Sequence, residues 1–256
     1  MVRGLEFFAR FFAGFEDRYV LIGGAACDLW LSKAEFRARA TKDLDLVLVI
    51  EAVDAPFVAR FWEFIREGGY ARGEVEAGSH KNYRFSRPSD DGFPFMLELF
   101  SRRPDLLSGG APGSIIPVPV ETSLSRLSAI LLDEEAYRFV LRARQAESGL
   151  MVLGPSALIP LKAAAFIDLR EQKSRGATVD TDDIAKHRND TLRLALLLRP
   201  DERIRLPRSF ELALRELLSD VDAYKPDWQA LRKSLGMAGN LDGDRLLSLI
   251  RSVYGL

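Results

Sequence analysis

"YVLIGGAACDLWLSKAEFRARATKDLDLVLVIEA", residues 19–52, sets the fold and raises the main functional question. "YVLIGG" reads as a short buried strand that ends in a turn at Gly23 and Gly24, and "AACDLWLS" as a helix beginning immediately after it. "DLDLVLVI" is the next strand, and it carries two carboxylates, Asp43 and Asp45, one residue apart. Residues two apart on a strand share a face, so the two acids project together, with Leu44, Leu46, Leu48 and Ile50 as apolar surroundings.

Two like charges held close are costly without a cation. A hard divalent ion such as Mg²⁺, bound through a few carboxylates and substrate phosphates, removes that cost and points to phosphoryl chemistry. The other reading is an edge strand with a solvated acidic face. The glycines bear on the choice: at a strand-to-helix turn the backbone approaches a ligand closely, and free N–H groups meet a phosphate. A Gly-Gly pair is also ordinary turn chemistry, and this one is neither a Walker loop nor a G-x-G-x-x-G fingerprint.

Outward from this stretch, Leu5, Phe8, Phe12 and Phe15 recur at helical spacing in "VRGLEFFARFFAGFEDR", with Arg3, Glu6 and Arg10 breaking the apolar run. This is the pattern of an amphipathic helix on the core rather than a signal peptide. "DAPFVARFWEFIREGG" predicts a helix with Pro56 in its first turn and a stop at Gly68 and Gly69. "KNYRFSR" and "FPFMLELF", separated by "PSDDG", predict a β-hairpin. Glu98 interrupts its second strand, where a charge is expensive unless paired or metal-bound; an outward-facing glutamate on a half-exposed strand is the alternative.

From about residue 121 the pattern turns helical, in "SLSRLSAILLDEEAYRFVLRARQ", "SALIPLKAAAFIDLREQK", "DDIAKHRNDTLRLALLLR" and "SFELALRELLSD", with "GLMVLG" a short strand. Ser156 is the expected N-cap of the second helix and Asp180 or Thr181 of the third. "SGGAPGS" at 108–114 is the most linker-like piece. The expected architecture is α+β: a mixed-sheet core at 1–120, then a mostly helical domain at 121–256 that closes one wall of a cleft.

The whole chain, 256 residues and 47% hydrophobic, has length enough for two such domains. Its 36 basic and 37 acidic residues nearly balance, so no global field draws it to nucleic acid or membrane, and any nucleic-acid contact is local. Cys27 is the single cysteine, and neither it nor the two histidines has zinc-site spacing, which favours a reducing cytoplasm. No stretch reaches the roughly 18–20 apolar residues of a membrane span.

"GGAACDLW", "RATKDLDLVL" and "MLELF" together resemble the DNA polymerase β-type nucleotidyltransferase superfamily. More narrowly, Arg39-x-Thr41-x-Asp43-x-Asp45 resembles the R-x-T-x-D-x-D form of the AbiEii/AbiGii toxin family of nucleotidyltransferases. "LIPLKAAAFIDLR" and "DTDDIAKHRNDTLRL" are similar to that family's C-terminal motifs, so the resemblance covers about residues 19–198, with "REQKSRGATVDTDD" departing from compact members.

The resemblance implies transfer of a nucleoside monophosphate from an NTP to a hydroxyl of RNA (tRNA included) or protein, in a bacterial toxin–antitoxin or phage-defence pair with a cognate antitoxin. Asp43, Asp45 and Glu98 would be catalytic and hold Mg²⁺ or Mn²⁺. Gly23 and Gly24 would seat phosphates, with Arg39, Thr41, Lys162, Lys186 and Asp190 on the nucleotide. The residues alone leave other roles open: Lys42 a solvated charge, Lys162 a snorkelling lysine, Lys186 and Asp190 an i,i+4 ion pair, His187 a structural histidine. Two rival functions are a non-catalytic nucleotide- or RNA-binding module on the same fold and an antibiotic-type small-molecule nucleotidyltransferase.

Overall fold

The computed structural model describes residues 2–39, 41–70, 82–101 and 133–256. The linker-like 108–114 segment and the start of the helical pattern at 123 lie outside the described residues. The fold is α+β, as expected. Two compact units are formed, one from the described residues within Met1–Asp28, Ala40–Ser123 and Val140–Leu153, the other from those within Leu29–Arg39, Leu124–Phe139 and Gly154–Leu256.

The first unit is built on a six-stranded mixed sheet: β1 (Tyr19–Ile22), β2 (Asp43–Leu48), β3 (Asn82–Ser86), β4 (Met96–Phe100), β5 (Arg144–Glu147) and β6 (Leu150–Leu153), in the order β3-β4-β2-β1-β6-β5. β2 pairs in parallel with β4 and antiparallel with β1, which makes it a central strand. An edge strand with a solvated acidic face is therefore excluded for Asp43 and Asp45. The expected hairpin forms between β3 and β4. Two strands come from beyond residue 121: β6, the "GLMVLG" segment, lies parallel to β1, and β5 pairs antiparallel with β6.

Against the sheet lie α1 (Leu5–Phe11) and α3 (Ala55–Glu67). Asp54 caps α3 by accepting from the Phe57 N–H, with Pro56 in the first turn. The aromatic spacing read in the sequence becomes a packed cluster. Phe8 meets Tyr19 edge-on at 5.4 Å, and Phe64 contacts both Phe8 and Phe12, at 5.6 and 5.4 Å. Leu5, Phe8 and Phe12 are buried as expected, and Phe15 is half-buried.

α2 (Gly23–Lys33) starts at the glycine pair. Downstream come α4 (Glu134–Arg142), α5 (Pro155–Ser174), α6 (Thr181–Ala195), α7 (Arg208–Ala223), α8 (Trp228–Leu235) and α9 (Gly243–Tyr254). In the second unit α5 packs on α6 and α7. The helical pattern expected to run through Gln145 stops at Arg142, because the chain turns there into β5. Ser156 does not cap α5. Gly154 holds the N-cap position and Pro155, whose ring presets φ, occupies the first turn. Asp180 caps α6 by accepting from the Asp182 N–H at 2.9 Å. In the departure at 171–183, Glu171–Ser174 end α5 and 181–183 begin α6, with a non-helical link at 175–180.

Candidate functional site

The sheet register assembles the first group of site residues. Asp45 stands opposite Ile22 on β1 and Glu98 on β4, and Glu98 stands opposite Arg84 on β3, so Ile22, Asp45, Glu98 and Arg84 form one row across the sheet. Directly paired residues share a face, and so do residues two apart; Asp43, Asp45 and Glu98 therefore project from the same face of two adjacent strands. All three are only partly exposed, and Leu44, Leu46 and Leu48 on the opposite face are buried.

The glycine turn touches this row. β1 ends at Ile22, beside Asp45, and the next residue takes φ +69°, a conformation that glycine adopts without strain. A Cβ on Gly23 would overlap the Asp45 carboxylate, and one on Gly24 would stand 3.1 Å from Thr41 Oγ1. Both glycines thus let Asp45 and Thr41 pack against the start of α2, whose first-turn N–H groups favour negative charge. Lys42 turns its ammonium over the Phe95 ring at 4.5 Å.

The three acids differ in how they are met. Asp43 Oδ1 is enclosed and has no hydrogen-bond partner among the described residues. Glu98 Oε1 accepts from Arg84 Nη2 at 3.1 Å, with the glutamate side chain 15% exposed. Among the described residues no group of three His, Cys, Asp or Glu side chains stands ready to hold an ion. The chemistry of the donors nonetheless fits Mg²⁺ or Mn²⁺: all are oxygen ligands, and Mg²⁺ is ordinarily held by one or two carboxylates with substrate phosphates completing its shell. Asp43, with its unmatched enclosed oxygen, and Asp45 are the two that would hold it.

Arg39, Lys162, Lys186 and Asp190 belong to the second unit, where three of them converge. Lys162 on α5 is 4% exposed, which rules out snorkelling. Its ammonium donates to Asp190 Oδ2 on α6 at 2.9 Å, and the Arg39 guanidinium stands 3.8 Å from the same oxygen. Burial pushes the Asp190 carboxyl up, but Lys162 and Arg39 outweigh it and hold the group below its ordinary value. Lys186 does not pair with Asp190; it reaches Asp183, one turn earlier, at 3.7 Å. His187 is half-buried, its Nδ1 enclosed without a partner among the described residues. Burial, and then the Lys162 ammonium, lower its pKa to about 3, so it is neutral at pH 7.

Three connections escaped the sequence reading, Arg84 to Glu98, Arg39 to Asp190 and Lys162 to Asp190. The first was half visible: alternation in "KNYRFSR" puts Arg84 on one face with Ser86, but only the hairpin register sets it opposite Glu98. The second joins residues 151 positions apart, 39 and 190, and no local spacing signals it. No protein-family model matches this chain, and no curated protein sequence does either.

Proposed function

We propose that this protein is a divalent-metal-dependent nucleotidyltransferase that moves a nucleoside monophosphate from an NTP to a hydroxyl of RNA or protein, as its resemblance to AbiEii/AbiGii toxins implies. The observation that carries the reading is that Asp43, Asp45 and Glu98 share one face of two adjacent strands, with the Gly23–Gly24 turn packed against Asp45. Asp43 and Asp45 are the ligands in this reading, with Glu98 beside them. The bound ion supplies charge neutralisation for the triphosphate and a lowered pKa for the acceptor hydroxyl.

The chain's own residues do the rest. The first turn of α2 receives phosphate oxygens on its N–H groups, and the glycines let the ligand come close to backbone. Glu98 takes the acceptor's proton as its oxygen bonds to the α-phosphorus and the α–β bridging bond breaks, releasing pyrophosphate.

The test is incubation with NTPs labelled at the α- or γ-phosphate, Mg²⁺, total RNA and total protein. The expected result is α-label, not γ-label, in an RNA or protein fraction, absent without Mg²⁺ and absent with Asp45→Asn. NTP binding with no label transferred under any condition would contradict the proposal and leave a binding module.

A further inference from the structure

Arg84 was not among the residues that the sequence singled out, yet it completes the row Ile22, Asp45, Glu98, Arg84. Its Nη2 lies 3.1 Å from Glu98 Oε1, the side chain is 38% exposed, and its Nε is enclosed with no hydrogen-bond partner among the described residues. The register of β3 thus places Arg84 at one end of the row that carries Asp45 and Glu98, with its Nε–H unpaired among the described residues. We propose that Arg84 is the resident counter-ion of this carboxylate face: it holds Glu98 while no divalent cation is bound, and a cation binds in competition with it. Arg84 is in this sense a positioning residue that sets how much Mg²⁺ or Mn²⁺ the site demands.

The physical basis is direct. A guanidinium and a divalent cation within several ångströms repel each other, and the guanidinium also offsets the Glu98 charge that would otherwise favour a cation on Asp43 and Asp45. Removing the guanidinium takes away the repulsion and leaves the negative charge of Glu98 unopposed beside the Asp43–Asp45 site. It also leaves the carboxylates facing one another with less compensation in the metal-free protein. Charge, rather than shape, carries the effect, so lysine at this position retains most of it even though the planar fork is lost.

The inference rests on the metal-dependent reading above, and one titration separates the two. Mn²⁺ binding to the full-length protein is followed by electron paramagnetic resonance, beside thermal unfolding of the metal-free protein, for wild type, Arg84→Gln, Arg84→Lys and Asp45→Asn. The expected result is Mn²⁺ binding that Asp45→Asn abolishes, that Arg84→Gln tightens by about three- to tenfold, and that Arg84→Lys changes by less than about twofold, together with a lower metal-free melting temperature for Arg84→Gln. Arg84→Met, which keeps the apolar stem, replaces the glutamine variant if that one fails to fold. Wild-type affinity in Arg84→Gln or Arg84→Met, with loss in Asp45→Asn, overturns the role of Arg84 and leaves the metal site standing. Wild-type Mn²⁺ binding that is absent, or indifferent to Asp45→Asn, overturns both.

Discussion

In the second unit, the carboxylate of Asp190 is closed off by cations, Lys162 at 2.9 Å and Arg39 at 3.8 Å, and is itself 4% exposed. In the first, Asp43 keeps an enclosed oxygen with no hydrogen-bond partner among the described residues, and Glu98 is met by an arginine that is itself more than a third exposed. Both groups place charge where water is scarce, which costs free energy unless the charges are answered. One answer is internal, two cations of the same unit meeting one carboxylate. The other leaves acceptor capacity on a rigid central strand, which suits a ligand that arrives from outside. Removing charge from the two groups should therefore have opposite consequences for stability.

The largest expected effect comes from the same substitution made in both places. Asp190→Asn leaves a buried ammonium without its counter-charge and should cost about 3–5 kcal/mol, read from urea denaturation at pH 7. Asp43→Asn should leave the metal-free protein unchanged or raise its stability by up to about 1 kcal/mol, because it relieves like-charge repulsion at constant volume. Similar losses in both variants would erase the contrast.

A smaller effect is expected at the turn. Gly23→Ala meets both a positive φ and the Asp45 carboxylate, and should cost about 1–3 kcal/mol while displacing Asp45 and abolishing divalent binding. Gly24→Ala asks only that Thr41 Oγ1 move by a few tenths of an ångström and should cost less than half as much. Circular dichroism melts of the two variants, beside their Mn²⁺ titrations, order them.

The smallest effect is in the pH dependence of the second unit. The folded pKa of His187, about 3, lies below the ordinary 6.5, so between these values the unfolded chain binds a proton that the folded chain refuses. Its contribution is complete above pH 6.5 and is lost as the pH falls toward 3. Asp190, also held low, adds a loss at more acid pH, as the medium passes from the ordinary carboxylate range down through its folded value. His187→Gln should flatten the decline of melting temperature between about pH 6.5 and 4 and leave the steeper acid limb in place.

How much of this was legible in the sequence follows from the range of each interaction. The strands around the glycine turn, α3 with Pro56 in its first turn and the β3–β4 hairpin rest on local periodicity and turn residues, and they stand where the sequence put them. The shared face of Asp43 and Asp45 follows from strand alternation alone, and Glu98 joins them because β2 and β4 pair in parallel. That pairing needs a crossover, and its register is not a local property. α8 and α9 went unread although Asp227 and Asp242 cap them and Gly236 and Gly255 end them, an N-cap and C-cap grammar that was available. The pairing of Lys162 with Asp190 has no local signal, because the two residues lie 28 positions apart on different helices.

The most direct measurement is a crystal of the full chain grown with Mn²⁺ and a non-hydrolysable NTP analogue, examined by anomalous scattering at the manganese edge. The expected result is an anomalous peak within coordination distance of Asp43 and Asp45, about 2.1–2.3 Å from their oxygens, with triphosphate oxygens on the same ion. Bound analogue with its manganese elsewhere, and Asp43 and Asp45 touching no ion, would contradict it.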